Sequence, residues 1–337
     1  MKYNFNKVRN LLFLGGGPIM AQLIIEQSFF SVRVITAERF LNEVILEGGI
    51  TFKELLIQKK VPYLLSEDVN IDMGVNKYIT HDTVGLSISA PWIIKQEFID
   101  KFLGGKLINL HTSLLPKYRG GGGPTWKILN GENIGAYTVH FITTGIDDGD
   151  VIASDEYQYP TNCIYPEQWN IIDVKMCVKG ILGILKTIHV GNDFEMIKQD
   201  QNVSVYFPRL NSKSQGYIDW KWSAIEIVSF INAFSFPFEG AKTYIDNRLI
   251  KIREASLGMK EYFHPFMHGL VIRKNQNEIA IAGLNYEILI TDVVDEYGNS
   301  MLNKIRLGDR FYTPLSILEE AFIYRAQYDS KGLISKK

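Results

Sequence analysis

Leu11-Leu12-Phe13-Leu14-Gly15-Gly16-Gly17-Pro18-Ile19-Met20 opens the reading of this chain. Four apolar residues in a row read as a short strand buried on both faces, three glycines as a tight turn, and residues 19–26 as a helix. Strand, turn and helix in that order begin an α/β sheet. The same stretch fails the dinucleotide-binding fingerprint, because Met20 stands where a third glycine is needed and Pro18 lies inside the turn. It also falls short of a secretory leader: Lys2, Lys7 and Arg9 precede it, but the apolar run is too brief for an h-region.

Working outward, strand-like runs at 32–36, 61–65, 85–89 and 106–110 alternate with helical stretches at 51–59 and 95–102. This predicts a doubly wound, mostly parallel sheet. Pro62 is tolerable near the start of its strand. Residues 137–143 and 151–159 alternate in character as half-buried strands do, and are expected to pair antiparallel. An amphipathic helix over 166–189 closes the first domain. From about Tyr206 the texture changes. A helical stretch at 223–234 precedes short strand-like runs at 241–245, 249–254, 269–273, 279–282 and 287–293, which suggest a small barrel or sandwich. Trp220, Trp222 and the aromatics of 230–238 read as its core. The segment 313–337 has no assignment, and residues 331–337 are expected to fray.

Bulk properties narrow the function classes. A chain of 337 residues with 46% hydrophobic, 22% charged and 12% aromatic side chains suggests two globular domains. Its 36 basic and 37 acidic residues give a net charge of −1, hence no global field for a polyanion. Cys163 and Cys177, the only cysteines, are too few for a disulfide framework and fit a reducing, cytoplasmic setting. No run approaches the ~18 apolar residues of a membrane span.

Two constellations carry chemistry. Asn109 and His111 are two apart at the carboxyl end of a predicted strand, so they share a face on the edge where open α/β sheets bind ligands. The following loop ends in four glycines, Gly120-Gly121-Gly122-Gly123, a wall without bulk. The second is Gly145-Ile146-Asp147-Asp148-Gly149-Asp150. It lacks the alternating ligands and terminal Glu of an EF-hand, so no metal is expected; the other reading is that one Asp orients a histidine. His264 and His268 are four apart, but Pro265 and the lack of a third ligand argue against a metal site. Lys117 and Arg119 are left open between a phosphate contact and solvation.

In order along the chain, Ile108-Asn109-Leu110-His111-Thr112-Ser113-Leu114-Leu115-Pro116-Lys117-Tyr118-Arg119-Gly120, Trp126, Asn130-Gly131-Glu132 and Asp147-Asp148-Gly149-Asp150-Val151-Ile152 resemble the signature of the folate-dependent formyltransferases. That family includes methionyl-tRNA and glycinamide ribonucleotide formyltransferases and the enzymes that formylate nucleotide-linked amino sugars. Gly216-Tyr217-Ile218-Asp219-Trp220 with Ser223-Ala224 resembles the start of the C-terminal barrel domain of the methionyl-tRNA and sugar enzymes. The resemblance implies a Rossmann-like catalytic domain over 1–205, an OB-like barrel over 206–312 and an extension over 313–337. It implies Asn109, His111 and Asp147 as the catalytic set and 10-formyltetrahydrofolate as cosubstrate. The pterin would be held by Trp92, Ile93 and Ile94, by the loop bearing Thr143, Gly145 and Ile146, and by Leu115. A homodimer is expected on the same ground. Two departures stand out: an arginine common in the family would fall at Gly121, and Gly122-Gly123-Pro124 shifts the usual small residues and proline by one place.

The acceptor follows from charge. Methionyl-tRNA formyltransferases tend to carry Gly-Thr-Pro after the first strand and a basic C-terminal domain. Here the turn is Gly15-Gly16-Gly17-Pro18, and residues 211–337 hold about 16 Lys and Arg against about 15 Asp and Glu, too balanced to grip tRNA. The expected acceptor is an amino sugar on a nucleotide, serving surface-polysaccharide (lipopolysaccharide) synthesis, with no nucleic acid or membrane partner. The alternatives are methionyl-tRNA, a siderophore or carrier-bound amine, and, outside transferases, a folate sensor or formyl hydrolase.

Overall fold

The apolar run at 11–14 becomes the centre of a seven-stranded sheet in the computed structural model, which describes residues 1–45, 48–121 and 123–334. The strands are β1 (Asn10–Gly15), β2 (Ser31–Thr36), β3 (Tyr63–Leu65), β4 (Thr83–Ile88), β5 (Leu107–His111), β6 (Ile134–Phe141) and β7 (Val151–Gln158). They lie in the order β3-β2-β1-β4-β5-β6-β7. The first five are parallel, and β6 and β7 are antiparallel additions. β1 is buried along nearly its whole length, which is why it reads as an unbroken apolar run. Strand order reverses beside β1, where β2 leaves on one side and β4 on the other, and such a switch point opens a crevice at the carboxyl ends. Gly15 makes the turn possible. Its φ is +115°, and a Cβ there would stand 2.1 Å from the Ile88 carbonyl oxygen.

Helix α1 (Pro18–Glu26) starts on the proline of the opening stretch, and α2 (Phe52–Gln58) on a capping box between Thr51 and Glu54. Three expectations shift. The strand predicted at 61–65 begins at Tyr63, since Pro62 has no N–H to give, although its carbonyl still accepts from Val34 N–H. The helix predicted at 95–102 shrinks to Gln96–Ile99 and passes into a 3₁₀ turn over Leu103–Gly105, where Gly104 takes a φ of +73°. Residues 331–334 do not fray; they form part of a hairpin, while 335–337 lie outside the described residues.

Helix α4 (Pro166–Val190), which follows the short α3 (Pro124–Leu129), joins two cores. Trp169 in its first turns packs with Tyr159 and the second unit, whereas Cys177, Ile181 and Leu185 pack under the large sheet. In the second unit, α5 (Ala224–Ala233) covers an antiparallel sheet of β8 (Ala241–Ile245), β9 (Arg248–Lys260), β10 (Val271–Lys274), β11 (Ile279–Ala282) and β12 (Tyr286–Asp295), ordered β8-β9-β12-β11-β10. Bridges Tyr244↔Tyr312 and Leu270↔Arg310 join its two edges through residues 310–312, which closes the sheet as a small barrel. Trp220, Phe230 and Phe234 lie in its core and Trp222 packs against it, whereas Phe236, expected there too, is 41% exposed. Helix α6 (Leu315–Ile323) and the hairpin of β13 (Tyr328–Asp329) and β14 (Gly332–Leu333) complete the described chain.

Where α4 joins the two cores, a carboxylate is buried. Asp173 accepts hydrogen bonds from the Tyr157 hydroxyl at 2.6 Å and from the Tyr159 hydroxyl. Burial raises its pKa, against the opposing effect of both phenols and of Lys127. Asp173→Ala leaves two buried hydroxyls without an acceptor and should cost about 2–4 kcal/mol, with Asp173→Asn costing less, as read by urea unfolding. Equal, small effects for both variants would show that the network contributes no stability.

Candidate active site

Strand register assembles the first part of the site. Ser87, Asn109 and His140 are successive partners across β4, β5 and β6, so their side chains share one face. Asn109 Nδ2 lies 3.2 Å from His140 Nε2. His140 Nδ1 lies 2.8 Å from the Phe141 carbonyl oxygen, which can only accept, so Nδ1 carries the proton. In the neutral ring Nε2 is then an acceptor for the Asn109 amide. His111 lies two residues further along β5. Its Nε2–H donates to the Tyr118 carbonyl at 2.5 Å, which leaves Nδ1 as its basic nitrogen, 3.7 Å from Asp147 Oδ2.

Asp147 is held from several sides. Its backbone sits at a φ of +47°, a left-handed conformation seldom taken without a glycine. The Gly120 N–H donates to Oδ2 at 2.8 Å, and Oδ1 is 3.5 Å from His140 Nε2. Behind the loop, Gln199 Nε2 donates to the carbonyls of Asp147 and Gly149, each at 2.8 Å. Its Oε1 accepts from Arg119 Nε at 3.1 Å and Nη2 at 2.7 Å, and Arg119 Nη1 donates to Gln201 Oε1 at 2.7 Å. Arg119 is therefore neither a solvated cation nor a phosphate contact; it is buried and braces the Asp147 loop. Lys117 makes a surface ion pair with Glu132 at 2.9 Å.

The electrostatics follow from this packing. Burial lowers the pKa of His111, and Asp147 and the bond to Tyr118 only partly offset it. Burial would raise Asp147, but the neighbouring His140 and His111 and the Gly120 N–H outweigh it and hold its carboxyl at about 2. At neutral pH the pair is a carboxylate beside a neutral imidazole.

Asn109, His111, His140 and Asp147 open onto one cavity of about 1150 Å³ at the carboxyl ends of the strands. Trp92, Ile93 and Ile94, which follow β4, line it, as do Thr143, Gly145 and Ile146, which follow β6. Ile93 and Ile146 present half-exposed apolar side chains there, 48% and 58% exposed. Leu115 does not belong to this wall: it is buried, its N–H donates to Thr138 Oγ1 at 3.1 Å, and it is absent from the described lining. The Ile93 N–H is also unavailable to a ligand, since it donates to the Ser330 carbonyl at 3.3 Å.

Several site residues escaped sequence reasoning. His140 reads as an ordinary member of an alternating strand, and only its pairing with Asn109 reveals it. Gln199 lies in a segment without pattern. Arg39 and Arg209 both line the cavity, and among the described residues neither makes an ion pair. Burial and the neighbouring Arg209 lower the Arg39 pKa, opposed by Glu43. A clue to Arg209 lay in the missing arginine at 121. A Cβ on Gly121 would stand 2.7 Å from the Arg209 Cα, so residue 121 is bare because the backbone of Arg209 occupies its side-chain space. Gly122 of the same run lies outside the described residues.

The His111 imidazole resonance, assigned by its loss in His111→Asn, should titrate below the ordinary 6.5. Gln199→Ala, by loosening Asp147, should move that midpoint lower still. A wild-type midpoint above 7 would mean that the carboxylate outweighs burial, and an unmoved midpoint in the variant would mean that Gln199 does not position Asp147.

The formyl transferase family profile matches residues 57–160, and the profile of the formyl transferase C-terminal domain matches residues 211–304. Methionyl-tRNA formyltransferase of Clostridium tetani is 30% identical over 270 residues, covering 76% of this chain and 83% of that protein. WlaRD, a sugar 3N-formyl transferase solved with dTDP and 5-N-formyl-THF, aligns with a TM-score of 0.62 at 21% identity, over 85% of this chain and 98% of that one. The N-formyltransferase from Helicobacter canadensis in complex with folinic acid and dTDP-3-aminofucose aligns with a TM-score of 0.61 at 19% identity, over 84% and 99%. Both share its fold. With both domain profiles in order and a relative of that identity over most of both sequences, the chain belongs to the formyltransferase family and is a formyl-transferring enzyme.

Proposed function

We propose that the enzyme transfers the formyl group of 10-formyltetrahydrofolate to the amino group of a nucleotide-linked amino sugar. The observation that carries this reading is the pair of guanidinium groups, Arg39 and Arg209, which line the cavity with neither in an ion pair among the described residues, Glu43 on the same lining acting on Arg39 only at longer range. Two like charges beside one cavity favour an anion between them, and a diphosphate supplies one. At about 1150 Å³ the cavity exceeds the usual single-ligand range of roughly 300–1,000 Å³, which suits two substrates. The apolar side chains of Ile93 and Ile146 suit the faces of a flat pterin.

The chemistry assigns one role to each side chain. The acceptor nitrogen attacks the formyl carbon, giving a tetrahedral centre with an oxyanion and an ammonium. Asn109, oriented by His140, donates to the oxyanion without changing its own charge. His111 Nδ1 takes the ammonium proton, and the Asp147 carboxylate stabilises the resulting imidazolium. The bond from carbon to N10 of the folate then breaks, the proton passes from His111 to N10, and the products are the N-formyl amine and tetrahydrofolate. The low pKa of Asp147 keeps it ionised throughout. The likeness to methionyl-tRNA formyltransferase supports a second reading, with methionyl-tRNA as acceptor.

A panel of aminodeoxysugar nucleotides incubated with 10-formyltetrahydrofolate should yield a mass gain of one carbonyl on a member of the panel. Formylation of methionyl-tRNA alone, lost steeply with salt, would replace the sugar reading with the second one. His111→Ala and Asn109→Ala should each lower turnover by about 10²–10³ with unchanged circular dichroism. Full activity in either would remove that residue from the mechanism.

A further inference from the structure

The extension after the barrel returns to the first unit and ends on the cavity. At its start, the Asn211 Nδ2 donates to the Tyr324 hydroxyl at 3.2 Å. Further on, the Ser330 hydroxyl donates to Asp68 Oδ2 at 2.5 Å, and Lys331 Nζ pairs with Glu67 at 2.8 Å. The Ser330 carbonyl takes the Ile93 N–H. Gly332 fixes the fit: its φ is +108°, and a Cβ there would stand 2.1 Å from the Pro91 carbonyl oxygen, so only glycine permits the approach.

None of this builds a core. No residue of 324–334 belongs to any of the three hydrophobic clusters of the described residues, and the docking is polar and peripheral. What the docking does is place Tyr328, Asp329 and Leu333 on the cavity lining, beside Tyr206 and Arg209. Tyr328 and Tyr206 keep 42% and 52% of their surface exposed there. The Tyr328 phenol responds to both neighbours, Tyr206 adding to the upward effect of burial and Arg209 opposing it. Asp329 Oδ1 accepts from the Lys331 N–H at 2.8 Å, which leaves Oδ2 for a sugar hydroxyl. Exposed phenol rings next to an unpaired guanidinium and a carboxylate match a ligand with a flat ring, an anion and hydroxyl groups.

We propose that the 328–333 hairpin is the acceptor-specificity element of this enzyme: Tyr328, with Tyr206 and Arg209, forms the subsite for the nucleoside diphosphate end of the acceptor. The base lies against the phenol rings, the diphosphate reaches Arg209 and Arg39, and the amino sugar extends toward Asn109 and His111. This assignment rests on the nucleotide-sugar reading above.

Calorimetric titrations with dTDP, UDP and 5-formyltetrahydrofolate as probes test it. Tyr328→Ala should weaken the preferred nucleoside diphosphate about tenfold or more and leave 5-formyltetrahydrofolate unchanged. Tyr328→Phe should restore most of the affinity. Gly332→Val, which expels the hairpin from Pro91, should act in the same direction with the thermal midpoint little changed. Loss of 5-formyltetrahydrofolate affinity with nucleotide binding intact would assign the hairpin to folate and overturn the proposal, as would no effect on either ligand. Wild-type protein that binds 5-formyltetrahydrofolate but no nucleoside diphosphate would instead overturn the nucleotide-sugar reading, and this proposal with it.

Discussion

The carboxylate of Asp147 is the fixed point on which the site is organised. It is ionised in a mostly dehydrated position because two imidazoles and a backbone N–H surround it. A buried charge with fewer partners would take up a proton instead. Its backbone sits in a conformation most side chains avoid, which the surrounding structure must hold in place. Arg119 and Gln199 do that from behind, using a guanidinium and an amide to tie the loop through its carbonyls and leaving the carboxylate oxygens to the histidines.

The sheet explains why these groups meet. Asn109 and His140 are adjacent only because β6 runs antiparallel beside β5 in one particular register. A shift of one residue would turn His140 to the opposite face. The crevice beside β1 then supplies room above them, and Gly15 lets the first turn close against Ile88 without filling it.

Much of this was legible in the sequence, for identifiable reasons. β1 announced itself as an apolar run because it is buried on both faces, and β6 and β7 through their alternation. Asn109 and His111 followed from a spacing of two at a strand end, and Asp147 from an ordered motif. His140 was hidden because its importance depends on strand pairing, which local pattern does not encode. Arg39, Arg209 and the hairpin were hidden because they reach the cavity from a four-residue helix, a linker and an extension, each too short or irregular to carry periodicity. Leu115, which the resemblance implied as a pterin contact, lies among the packing instead, through burial and the bond from its N–H to Thr138. The helix expected over 95–102 stops at Ile99 because the N–H groups of Lys101 and Phe102 bond back only three residues, to Phe98 and Ile99, and lead into the tight turn at 103–105.

The Gly332 contact with Pro91 also bears on how the molecule is made. A chain emerging from the ribosome presents its amino-terminal portion first, and domains generally fold as they emerge. The large sheet can therefore be in place before residues 328–333 exist. During that interval the crevice stands open on one side, and that wall arrives only after the residues of the second domain have been made.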